Sequence, residues 1–165
     1  MNLVNGMRVY KRNMKKLVIT DITKKYKELS SPKEGSISRE RGFNEKSHDN
    51  EIVIADIIFN TFGGNIVLLA EESFRTENPD YRWKDALWDL KTPNKIKNLG
   101  KLVQKGLSQI FVSPGGLIID ISHLKESQEK IEKAVEERLQ TSMRKKIDVI
   151  YIKNQVVIKV LQYEK

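Results

Sequence analysis

Apolar residues along this chain recur with two periods, and the switches between them predict its elements. From Asn50 to Phe62 the positions Ala55, Ile58, Phe59 and Phe62 fall three and four apart, as on one helix face. His48-Asp49-Asn50 offers an N-cap for that helix, and Gly63-Gly64 ends it. Glu51 falls on the same stripe, four residues before Ala55, an unusual place for a carboxylate. Ile66–Ala70 is an apolar run of strand length that leads into Glu71-Glu72. After a polar loop, Ser73–Asn78, the chain predicts a hairpin: Asp80-Tyr81-Arg82-Trp83, a tight turn at Lys84-Asp85, and Ala86–Lys91 returning.

Asn94 to Phe111 reads as a second helix, with Ile96, Leu99, Leu102, Val103, Leu107 and Ile110 apolar. A turn is expected at Ser113-Pro114-Gly115-Gly116, then a buried strand of the parallel-sheet type at Leu117–Ile121. A longer helix, Lys125 to Met143, stacks Ile131, Val135, Leu139 and Met143 at four-residue spacing, with Glu and Lys interleaved on a salt-bridged solvent face. Ile147–Lys153 and Gln155–Tyr163 close the chain as a second hairpin around Asn154. The order α-β-β-β-α-β-α-β-β predicts a mixed α/β fold, a mixed sheet flanked by helices with a C-terminal hairpin.

Composition narrows the chemistry. The 165 residues are enough for about one domain, and the absence of cysteine excludes a disulfide scaffold and any Cys-ligated metal. No apolar run is long enough to cross a bilayer, and the N-terminus shows no hydrophobic segment of a signal peptide. Charge is uneven. Thirty Lys and Arg face 22 Asp and Glu, net +8, yet residues 1–50 alone hold 12 against 6. Residues 1–49 therefore read as a basic leader, extended or mobile from about Lys24, with a short strand conceivable at Leu17-Val18-Ile19; residues 50–165 read as the folded domain. A basic surplus tilts the partner toward a polyanion.

The candidate chemistry lies between Pro79 and Lys91. Asp89 and Lys91 are two apart on a strand, so they leave the same face while Leu90 and Trp88 point the other way. Folding at Lys84-Asp85 brings Asp80 across from Asp89. Two carboxylates and one ammonium would converge, a donor set suited to Mg²⁺ or Mn²⁺ and to phosphodiester hydrolysis. Lys91, Lys95, Lys97, Lys101 and Lys105 follow with no acidic residue among them, a basic flank for a phosphate backbone. Tyr81 and Trp83 are candidates for stacking on an unpaired base. His48 and His123 are the only histidines, assigned to a helix cap and to the surface, and too few for a zinc site.

Pro79-Asp80, eight intervening residues and Asp89-Leu90-Lys91, preceded by a helix bearing Glu51 and followed by a helix and a buried strand, resemble the PD-(D/E)xK nuclease superfamily. More narrowly, residues 50–163 resemble the C-terminal tRNase domain of contact-dependent growth inhibition toxins and related phage or mobile-element domains. That resemblance implies a restriction-endonuclease-like fold and an Mg²⁺ or Mn²⁺ site of Asp80, Asp89 and Glu51, with Glu71 or Glu72 as the alternative third carboxylate. It implies Lys91 as the catalytic lysine and Gln109 as a positioning glutamine, with Lys95, Lys101 or Lys105 as alternative lysines. It further implies a tRNA substrate, action in the cytoplasm of a target cell and a tight-binding immunity protein. Three other readings stay open: a DNA endonuclease of the same fold, a non-catalytic nucleic-acid-binding or phage-associated module, and a metal-independent RNase toxin.

Overall fold

A computed structural model describes residues 15–75, 77–110 and 115–165. Eight strands form one mixed sheet. They are β1 (Val18–Asp21), β2 (Gly35–Arg39), β3 (Gly64–Leu68), β4 (Tyr81–Trp83), β5 (Ala86–Lys91), β6 (Gly115–Asp120), β7 (Lys146–Lys153) and β8 (Val156–Glu164). In space the order is β1-β8-β7-β6-β5-β4-β3-β2. The central strands β5, β6 and β7 run parallel, β2 is parallel to β3, and the remaining neighbours are antiparallel.

Helices cover both faces. On one side α1 (Thr23–Glu28) and α2 (Asp49–Phe62) bury Tyr26, Ile54, Ala55, Ile58 and Phe62 against Trp83, Trp88, Ile118 and Ile150. On the other, α3 (Ile96–Gln109) and α4 (Gln128–Thr141) bury Leu99, Val103, Val135 and Leu139 against Leu117, Ile119, Val149 and Tyr151. Successive residues of β6 and β7 enter opposite cores, so Leu117–Ile119 and Val149–Ile152 read as unbroken apolar runs. From α2 onward the predicted element order holds, including both hairpins. Lys84 and Asp85 take φ of 52° and 54°, and Asn154 and Gln155 take 51° and 64°, the left-handed backbone that two-residue hairpin loops need.

Three expectations are corrected. The stretch read as mobile from about Lys24 is built into the fold, with β2 paired to β3 at one edge of the sheet. The short strand expected near Leu17-Val18-Ile19 is present as β1, paired with β8 at the other edge. Tyr26 of α1 packs edge-on against Phe62 at 5.5 Å and donates a hydrogen bond to Asp148 Oδ2 at 2.5 Å. Leu17 N donates to Gln140 Oε1 at 2.8 Å. A boundary at residue 49 would thus cut through the sheet. Second, Gly115 and Gly116 belong to β6 and not to a turn; a Cβ on Gly116 would sit 2.2 Å from the Trp88 ring, so glycine lets the two strands and the indole share that space. Third, α4 stops at Thr141 and leaves Met143 79% exposed, outside the core. Phe111, Ser113 and Pro114, the expected end of the second helix and start of the turn, lie outside the described residues. Among the described residues no helix is long and apolar enough to cross a membrane.

Candidate active site

The β4–β5 hairpin sets the site. Tyr81 pairs with Trp88, so Asp80 and Asp89 are the next facing pair at the open end of the hairpin. Alternation sends Tyr81, Trp83 and Trp88 into the α2-side core and leaves Asp80 and Asp89 facing the α3 side. Asp80 N donates to Trp88 O at 3.0 Å, and its Oδ2 accepts from Leu90 N at 2.6 Å, which fixes the carboxyl at the strand end. Asp89 is 1% exposed, the one charged side chain in the buried set among the described residues. Lys91, two residues on along the same face, places Nζ 2.5 Å from Asp89 Oδ2.

Electrostatics set these two carboxyls apart. Burial first, then the charge of Asp89, push Asp80 up to about 8, against a usual value of 3.8. Burial also raises Asp89, while Lys91 and a hydrogen bond with Asp80 oppose that rise. Burial is thus the main cause of the rise at both carboxyls, and neighbouring negative charge adds to it at Asp80.

These groups open into a cleft of about 230 Å³. Its lining includes Asp80, Asp89, Lys91, Glu51, Lys105 and Gln109, bringing together most of the residues singled out in the sequence. Gln109 Oε1 accepts from Asn78 N at 2.5 Å and so anchors the segment leading to Asp80. Glu51 enters from the first turn of α2, and Glu71 from the residues after β3. Glu72 does not line the cleft; its carboxylate pairs with Arg75 Nε at 2.6 Å. Lys95, the N-cap residue of α3, and Lys101 on the helix are exposed and stand outside the lining.

Tyr81 and Trp83, expected to stack on bases, are each only 2% exposed. Their strand alternates opposite to Asp80, so both rings enter the core. Tyr81 instead donates its hydroxyl to Glu51 O at 2.8 Å and ties α2 to β4, and Trp83 Nε1 donates to Gly63 O at 2.9 Å. One cleft residue was assigned to a cap alone. His48 makes no side-chain cap bond; its Nδ1 lies 3.3 Å from Glu51 Oε1 and its Nε2 3.9 Å from Glu71 Oε2. Its position three residues before Glu51 at a helix start was the available signal.

No family model matches the sequence, and no curated protein matches it. Among solved structures the chain is similar to a chain of the CdiA-CT/CdiI toxin and immunity complex from Burkholderia pseudomallei, at 16% identity and a TM-score of 0.49, covering 70% of this chain and 92% of that one. The functional reading rests on the cleft.

Among the described residues, no three His, Asp or Glu side chains already surround one point as a complete cation cage. The donor set still fits Mg²⁺, which keeps several waters and takes one or two carboxylates together with phosphate oxygens. Asp80 and Asp89 would hold it, with Glu51 or Glu71 reaching in from the rim.

The close approach of α3 to this pair depends on Gly106. A Cβ there would lie 2.6 Å from Leu117 Cδ2, 3.2 Å from Asp89 Oδ2 and 3.4 Å from Lys91 Cε. Gly106→Ala is expected to lower stability by about 1–3 kcal/mol through overpacking, read as a fall in the thermal midpoint.

Proposed function

We propose that this chain is a metal-dependent phosphodiesterase, a nuclease of the PD-(D/E)xK type, with RNA and in particular tRNA as the favoured substrate. The observation that carries the reading is the buried Asp80–Asp89 pair with Lys91 on Asp89, opening into one cleft. The preference for tRNA, the role as a toxin-type effector and the existence of an immunity protein come from the sequence resemblance.

Bound at the two carboxylates, Mg²⁺ or Mn²⁺ would supply neutralisation of phosphate charge and acidification of a water. The chain's own residues do the rest. Leu90 N and Gln109 set Asp80 and the segment before it in advance, so little reorganisation is left when substrate arrives. Lys91 carries its ammonium at the cleft wall, placed to orient the attacking water or to meet charge developing on the phosphate oxygens. Lys105 adds positive charge across the cleft for the phosphate backbone.

The test is incubation with total tRNA and with plasmid DNA, each with Mg²⁺ or with EDTA. Cleavage of tRNA with Mg²⁺ and none with EDTA supports the proposal. Cleavage of DNA alone moves the substrate to DNA within the same chemistry. Undiminished cleavage in EDTA, or none of either polymer, rejects it.

A further inference from the structure

With Tyr81 and Trp83 buried, the one aromatic ring among the described residues lining the cleft is the imidazole of His48. Among the described residues, the exposed aromatic nearest to the cleft in the chain is Phe74, 81% exposed on the loop between Glu71 and Asn78, both of which line the cleft. That loop is tied at its base. Glu72 N donates to Asn78 Oδ1 at 3.0 Å, and Asn78 Nδ2 donates to Glu72 O and to Arg75 O, each at 3.3 Å. Through Asn78 N the same base is fastened to Gln109 on α3. The Arg75 guanidinium, paired with Glu72, stands 5.8 Å from the centre of the Phe74 ring. An apolar ring is thus exposed on a loop whose two ends, Glu71 and Asn78, line the cleft.

The other wall explains what the ring could meet. α3 carries no acidic residue, and its Lys97, Lys101 and Lys105 follow one another at four-residue spacing, about 6 Å of helix per step, down to the cleft. Phosphates drawn along that helix would bring their bases past the loop.

We propose that Phe74 is a stacking platform for an unstacked nucleobase, so that the cleft takes single-stranded nucleic acid or an unpaired loop and not an intact duplex. A ring at a loop tip can cover a base face only where that face is free of its neighbours, and such stacking accepts any base. The inference rests on the nuclease reading and specifies its substrate class.

The experiment measures binding of the full chain in EDTA, without turnover, to fluorescent single-stranded oligoadenylate as RNA and as DNA, and to an abasic strand of equal length. Phe74→Ala is expected to weaken binding to the base-bearing strands about 10-fold or more, with Phe74→Trp restoring it, while the abasic strand binds wild type and Phe74→Ala alike. The RNA and DNA arms show which sugar the site prefers. Equal binding of the base-bearing strands by wild type and Phe74→Ala overturns the proposal, as does an equal loss on the abasic strand. Failure of the wild type to bind any strand also overturns it. Mg²⁺-dependent cleavage by the same wild-type preparation separates the two readings: cleavage with an inert Phe74 leaves the phosphodiesterase and removes only the platform.

Discussion

Asp89→Asn should abolish cleavage and, in chelator at neutral pH, make the protein more stable. Asp89 is 1% exposed and faces Asp80, so its charge is held where water cannot solvate it. The amide keeps the shape and removes the charge. Loss of a group that stabilises transition-state charge lowers the rate by at least about 10²–10³-fold. Removing one of two crowded carboxylates relieves a burial cost that the folded chain now carries. Lys91→Ala should reduce cleavage on the same scale with the opposite effect on stability, about 1–3 kcal/mol of loss, because it takes away the ammonium 2.5 Å from Asp89 Oδ2. Cleavage assays and thermal melts on the two variants check both signs. Cleavage that survives both substitutions places the chemistry elsewhere.

The second large effect is on pH. Asp80 is raised from 3.8 to about 8 by burial and by Asp89, and Asp89 is raised in the same direction by burial. Between those values the folded chain binds more protons than the unfolded chain, so stability falls as pH rises. The contribution is whole below about pH 4 and is lost as pH climbs through about 8. Thermal midpoints in EDTA should therefore drop between pH 5 and pH 9, by on the order of 10 °C. Asp80→Asn should flatten that slope. A midpoint that rises with pH over this window would mean that the carboxyls are not packed against each other as described.

Much of the site was legible because period-2 alternation and turn chemistry act locally. Asp89 and Lys91 on one face, Trp88 on the other and a turn at Lys84-Asp85 follow from spacing alone, and the register places Asp80 beside Asp89. The same alternation, carried one strand back, turns Tyr81 and Trp83 away from Asp80; their aromatic character had suggested a surface they do not occupy. The first 49 residues misled for a different reason. β2 is an edge strand with nearly every residue exposed and α1 has six residues, so neither period is written there; of this stretch only β1 had a signal, in Leu17-Val18-Ile19. The place of β1 and β2 depends on pairing with β8 and β3, contacts that no local pattern encodes. His48 and Phe74 were hidden similarly, one by a cap assignment and one by a loop whose closure runs through Asn78 and Gln109.

The most direct measurement is a crystal structure of the protein soaked with Mn²⁺, with anomalous scattering locating the ion. One anomalous peak between the Asp80 and Asp89 carboxylates, lost in Asp89→Asn, is the predicted result. No peak at that pair, with the two carboxyls still sharing their hydrogen bond in saturating Mn²⁺, would contradict the account.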